Sequence, residues 1–170
     1  MSRRHLTFSC AGATLAATLD EAPGTTGLLL VTGGNEVRAG AFSGQARLAA
    51  RVAAAGHPVF RFDRRGVGDS SGENAGFTGS TPDIAAALAA FRAACPALRG
   101  VVGHGNCDAA SALMLGGGDG LAALVLANPW TFDTAEDDTP APLPAAAIRA
   151  RYAERLLRPS EWWRLLSGGV

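Results

Sequence analysis

Lysine is absent from this 170-residue chain: all 15 basic residues are arginine, balanced by 15 aspartates and glutamates. Zero formal net charge leaves no long-range field to draw the protein towards nucleic acid or anionic lipid. Beside so much alanine, the missing lysine reads as nucleotide composition bias, not as a functional device. Cysteine is scarce and odd in number. Cys10, Cys95 and Cys107 share no metal-ligand spacing and form no disulfide framework, so a reducing, cytoplasmic setting without metal or cofactor is expected. No apolar run reaches the length of a membrane span. Histidine is confined to His5, His57 and His104, none of them in the last third. What the chain has in quantity is apolar residues, 48% of the total, enough for the core of one globular domain.

Ser2-Arg3-Arg4 and the apolar residues behind it have the outline of a twin-arginine export signal. The alternative is a strand: Leu6, Phe8 and Cys10 alternate with His5, Thr7 and Ser9, and Ala11-Gly12 supplies a turn into a second strand over 13–19. Gly27 to Thr32 is a continuous apolar run of the kind buried on both faces of a parallel sheet, ending at Gly33-Gly34-Asn35. Helical spacing follows from Phe42 to Ala55, with Phe42, Ala46, Ala49 and Ala53 on one stripe. A strand over 58–63 opens into the turn-rich Arg64 to Gly72. Thr81 is then placed to cap a helix with Pro82 at its first position, running to about Ala94. Leu121 to Ala127 reads as another buried strand. Strands alternating with helices predict a parallel βαβ sheet, hence the α/β class. The expected domains are a core over 1–130 and a lid-like helical segment over 131–170.

Val101 to Asn106 runs as a short strand into Cys107 and then into a helical stretch from Ala110. A nucleophile elbow needs tiny residues two before and two after its nucleophile, because the turn is too tight for larger side chains there. Gly105 and Ala109 meet that demand around Cys107. A thiol at the first turn of a helix also faces the positive end of the macrodipole and unpaired N–H groups, which favour the thiolate. The competing reading is a small buried residue filling a turn, since free cysteine is among the most buried residue types. The flanking small residues and the preceding strand favour the nucleophile.

Four stretches carry a resemblance: Leu6-Thr7-Phe8-Ser9-Cys10, the run from Val31 to Gly40, Phe60-Arg61-Phe62-Asp63-Arg64-Arg65-Gly66-Val67-Gly68-Asp69-Ser70, and Gly105-Asn106-Cys107-Asp108-Ala109-Ala110-Ser111. Together they make the chain similar to the N-terminal two-thirds of an α/β-hydrolase, and most closely to the exosortase A system-associated hydrolases of the hydrolase 1 type. The Asp-x-Arg-Gly-x-Gly-x-Ser loop marks only the superfamily; the Cys-Asp-Ala-Ala-Ser elbow is narrower. The resemblance implies a mostly parallel sheet with an N-terminal antiparallel hairpin, lacking the fold's last strands and closing helix. It also implies attack by the Cys107 sulfur on an acyl carbonyl, with the oxyanion held by the backbone N–H groups of Asp108 and Asn35. Gly33 and Gly34 read equally well as an ordinary strand-ending turn. For Asp63, Arg65, Gly66, Gly68 and Ser70 a structural role in the loop is expected.

In this fold the acid and then the histidine follow the nucleophile, and here no histidine follows His104. Asp133 stands where some of these enzymes place their acid, and His57 is expected in a solvated turn. A sheet without its last strands exposes an edge that a complementing C-terminal portion or a second copy would cover. Three functions therefore compete. The first is a cysteine-dependent acyl hydrolase acting on a small-molecule ester or thioester in the exopolysaccharide setting. The second is a catalytically incomplete binding or assembly piece. The third, a dinucleotide-binding domain, is the weakest, because Gly66-x-Gly68 leads into a loop instead of opening a helix.

Overall fold

The computed structural model describes residues 2–116 and 118–130. The expected lid-like segment 131–170, with Asp133, lies outside them. Strands β1 (Arg3–Cys10) and β2 (Ala13–Asp20) form an antiparallel hairpin, so the arginine-led start of the chain is sheet. Its turn residues Ala11 and Gly12 both have positive φ, 48° and 81°, the handedness that suits twisted strands. The chain continues through β3 (Thr26–Val31), a 3-10 turn (Ala41–Ser43), α1 (Gly44–Ala54), β4 (Val59–Phe62), α2 (Thr81–Ala94), β5 (Gly100–Asn106), α3 (Asp108–Leu115) and β6 (Ala123–Ala127). The sheet order is β1-β2-β4-β3-β5-β6, with β2 antiparallel to β4 and the later strands parallel. This is the mostly parallel sheet with an N-terminal hairpin that the sequence predicts.

Alternation along the strands divides the core. Leu29 and Val31 of β3 face one side, where Ile84, Ala87, Leu88 and Phe91 of α2 and Ala109, Ala112 and Leu113 of α3 complete the main cluster. Phe91 stacks on Phe60 with ring centroids 5.3 Å apart. Leu28 and Leu30 face the other side, against Ala49 and Val52 of α1. No helix among the described residues is long and apolar enough to cross a membrane.

Four expectations shift. Phe42 does not join the α1 stripe: it is 94% exposed, and Phe42 and Ser43 both take left-handed backbone, with φ of 50° and 59°. The Glu36 carboxylate accepts the Ala41 N–H (2.7 Å) and holds this stretch as a turn, so the helix starts at Gly44. α2 begins at Thr81, with Ser80 and not Thr81 at the N-cap; the Ser80 hydroxyl makes no capping hydrogen bond, being engaged with the Gly76 carbonyl and Arg64. α3 begins directly after Cys107, at Asp108 instead of at Ala110. β6 is a largely exposed edge strand and not a buried one, with Val125 and Leu126 open to solvent, since β5 is its sole neighbour among the described strands. The Gly66-x-Gly68 stretch does lead into a loop, and the next helix waits until Thr81.

On β2 and β4 the sheet carries buried charge. Asp20, fully buried, accepts from Arg61 Nε and a terminal nitrogen (3.3 and 3.1 Å) and from Arg3 Nε (2.6 Å). Burial lowers the Arg61 guanidinium from its ordinary value, and the Asp20 charge opposes that shift. Removing one partner of such a pair strands the other in low dielectric. Asp20→Asn, which keeps the volume, is expected to cost about 3–5 kcal/mol. Urea unfolding monitored by circular dichroism should show this as a lower midpoint with an unchanged slope.

Candidate active site

β5 ends at Asn106 and α3 starts at Asp108, so Cys107 alone reverses the chain. It does so with φ 60° and ψ −131°, a region that costs an ordinary L-residue about 1–3 kcal/mol. The crowding is visible at Gly105, where an added Cβ would sit 2.7 Å from the Ala109 carbonyl and 2.8 Å from the Ala110 nitrogen. The reversal is tied down on several sides. Cys107 N–H donates to the Ala127 carbonyl at the end of β6 (3.1 Å), and the Cys107 carbonyl accepts from Ala110 (3.0 Å) and Trp130 (3.3 Å). Ser111 Oγ, on the first turns of α3, donates to the Trp130 carbonyl at 2.5 Å. Cys107 is a free, half-buried thiol.

Asp108 is the first residue of α3, so its N–H has no partner inside the helix. Facing it is the loop after β3. At Gly33 an added Cβ would meet Asp108 Oδ1 at 2.6 Å and the Asn106 carbonyl at 2.9 Å, which admits only glycine. Gly34, with φ 52°, donates its N–H to Asp108 Oδ1 (2.6 Å). The turn closes through Glu36 N–H to the Gly33 carbonyl (2.9 Å), leaving the Asn35 N–H outside that hydrogen bond. Asn35 is exposed, and its side-chain carbonyl accepts from Asn74 (2.9 Å). Cys107, Asp108 and the Gly33-Gly34-Asn35 loop are thus brought together from three elements.

Sequence reasoning missed Arg64. Its side chain is almost fully enclosed, and one terminal nitrogen donates to both the Gly34 carbonyl (2.5 Å) and Asp108 Oδ2 (3.2 Å). The other terminal nitrogen donates to Ser80 Oγ (2.9 Å), while Nε has no partner. An unpaired buried donor costs about 1–3 kcal/mol. No local pattern separates Arg64 from Arg65 beside it. Arg65 turns to α2 instead, with Nε on Asp83 Oδ1 (2.5 Å) and a terminal nitrogen on the Gly79 carbonyl (3.0 Å). Asp63 is buried and accepts from Asp69 N–H (3.1 Å) and from the backbone and guanidinium of Arg38. Ser70 Oγ donates to the Asp63 carbonyl (2.7 Å) and accepts from Ala16 N–H (2.9 Å). Gly66 and Gly68 both have positive φ, 69° and 57°. These five residues build the loop and do not touch the thiol.

None of the three histidines is hydrogen-bonded to Cys107. His5 Nδ1 pairs with Thr18 Oγ1 (3.2 Å), and the exposed His57 pairs with the Thr26 carbonyl (3.1 Å) before β4. His104 sits within β5 beside Leu30 and Val125, its Nδ1 buried without a partner. Among the described residues no cluster of His, Cys, Asp or Glu could hold a metal ion.

No family model matches this sequence, and no curated protein does. Solved structures do. The α/β hydrolase GrgF from Penicillium sp. sh18 superposes with a TM-score of 0.71 at 19% identity, covering 91% of this chain and 55% of that one. The Pyrococcus furiosus esterase Pf2001 gives 0.65 at 16% identity over 75% of this chain and 51% of that one. XC6422 from Xanthomonas campestris, described as an α/β serine hydrolase without a lid, gives 0.61 at 18% identity over 74% and 61%. The likeness is one of fold, and the chain spans between about half and three-fifths of each of these proteins.

Burial lowers His104 from its ordinary value of 6.5. The unfolded chain therefore takes up this proton at a higher pH than the folded one, and stability is lost as pH falls below that value. The slope contributed is at most one proton, about 1.4 kcal/mol per pH unit. Urea midpoints at pH 7.5 and 5.5 should differ less in His104→Leu than in the wild type.

Proposed function

We propose that the chain works as an α/β-hydrolase-type acyl hydrolase in which Cys107 Sγ attacks the carbonyl carbon of an ester or thioester. The observation that carries this reading is the left-handed Cys107 backbone at the carboxyl end of β5, which lifts a thiol onto the N-terminus of α3. In the reaction the thiol proton passes to solvent or a base, and the S–C bond forms as the carbonyl π electrons move onto oxygen. The backbone N–H groups of Asp108 and Asn35 stabilise that oxyanion. Collapse of the intermediate breaks the C–O or C–S bond and expels the alkoxide or thiolate, leaving an acyl-cysteine that water must cleave. The exosortase A and exopolysaccharide setting rests on the resemblance of the Cys107-Asp108-Ala109-Ala110-Ser111 elbow alone. Three longer proteins sharing the fold are named as hydrolases or esterases, which agrees with the reaction class.

A second reading has its own observation. With no described histidine bonded to Cys107, the acyl-enzyme lacks an evident base to activate water, so these residues alone would be acylated once and stop. A complementing portion or a second copy paired along the exposed β6 edge would then supply the remainder. Incubation with p-nitrophenyl acetate separates the two readings. Release of about one equivalent of p-nitrophenolate followed by a plateau supports the second; continued turnover supports the first. In both, acetylation should map to the peptide between Arg99 and Arg149, whose sole cysteine is Cys107. Cys107→Ala should abolish acetylation, and unchanged release by that variant would sink both.

A further inference from the structure

Arg64 follows β4 and does not contact the thiol, yet it grips the two pieces of backbone that the proposed chemistry uses. We infer that Arg64 is a positioning residue that aims the oxyanion-binding N–H groups, an inference that rests on reading Cys107 as the acyl acceptor. The Gly34 carbonyl and the Asn35 N–H belong to the same planar unit, which is trans, so the two groups point in opposite directions. By drawing the Gly34 oxygen inward to a buried guanidinium at 2.5 Å, Arg64 turns the Asn35 hydrogen away from the interior.

Without that grip the plane has little to hold it. Gly34 carries no Cβ and already stands at φ 52°, so rotation of the Gly34-Asn35 peptide meets a low steric barrier. A flipped peptide would present a carbonyl dipole where the oxyanion needs a donor. The same Arg64 nitrogen donates to Asp108 Oδ2, and Asp108 Oδ1 accepts from Gly34 N–H, so a closed ring joins guanidinium, carboxylate and loop. Asp108 is also the residue whose own N–H is the second proposed donor. One buried cation therefore fixes the loop donor and the elbow donor relative to each other. Its unpaired Nε shows that the side chain is not placed to satisfy its own hydrogen bonds fully.

Two reactions of one thiol test the inference. Acetylation of Cys107 by p-nitrophenyl acetate passes through an oxyanion; alkylation by iodoacetamide forms the S–C bond by displacing iodide from a saturated carbon and needs none. In Arg64→Met the acetylation rate constant should fall by about 100-fold, as on loss of an oxyanion donor, with alkylation changed by no more than about twofold. Arg64→Lys, which keeps charge without the fork, should fall between Arg64→Met and the wild type. Parallel loss of both rates, or neither, overturns the role of Arg64 while leaving Cys107 as nucleophile. A wild type that is alkylated but never acetylated at Cys107 overturns the proposed function as well. Should Arg64→Met fail to give a cooperative melt, Asp108→Asn breaks the ring from its other side at constant volume, and the same selective loss of acetylation is required of it.

Discussion

At the carboxyl end of β5 the chain doubles back so sharply that α3 lies against the strand it has just left, and this crowding governs everything around it. Gly105 has no room for a side-chain atom, Ala109 and Ala110 are enclosed, and Cys107 must take a backbone conformation that L-residues avoid. Such a conformation persists only where its surroundings over-determine it. Here β6 supplies a carbonyl to the Cys107 N–H, Trp130 and Ala110 cap the Cys107 carbonyl, and the loop after β3 closes against Asp108. Three parallel strand ends therefore converge on the turn of Cys107 and Asp108.

Charge is handled by a single device repeated. Asp20 meets Arg61 and Arg3, Asp63 meets Arg38, Asp83 meets Arg65, and Asp108 meets Arg64. In each case the guanidinium also reaches a second group, a backbone carbonyl or another side chain, which an ammonium on a flexible stem does less well. In a chain without lysine, the fold uses arginine as a fork. The Asp20 pairs join strand to strand, and Arg64 and Arg65 tie the loop after β4 to α3 and α2, whereas the helices are seated on the sheet by alanine, leucine and phenylalanine.

The sharp strand-to-helix turn at Cys107 was legible because sterics dictate it: a turn that tolerates only small residues at two fixed offsets leaves a pattern that Gly105 and Ala109 satisfy. The hairpin was legible through alternation, and the loop role of Asp63, Gly66, Gly68 and Ser70 through turn chemistry. Phe42 misled because an apolar residue at helical spacing carries no sign of the Glu36 contact that holds its neighbour in a turn. β6 misled because an apolar run specifies a strand without saying whether a second neighbour exists. Arg64 was illegible for a different reason. Its partners Gly34, Ser80 and Asp108 are 30, 16 and 44 residues away, and only folding assembles them.

The strand order has a bearing on how the chain leaves a ribosome. β3 pairs with β4 on one side and β5 on the other, and both are made after it. An apolar strand, Leu28 to Val31, thus emerges with two open edges; β4 can cover one once synthesis has passed Phe62, and the other stays open until Asn106 has been made. Until β4 is made, the β1–β2 hairpin is the only sheet pairing that the described strands can complete, and any holdase that recognises extended aliphatic segments has its target at β3.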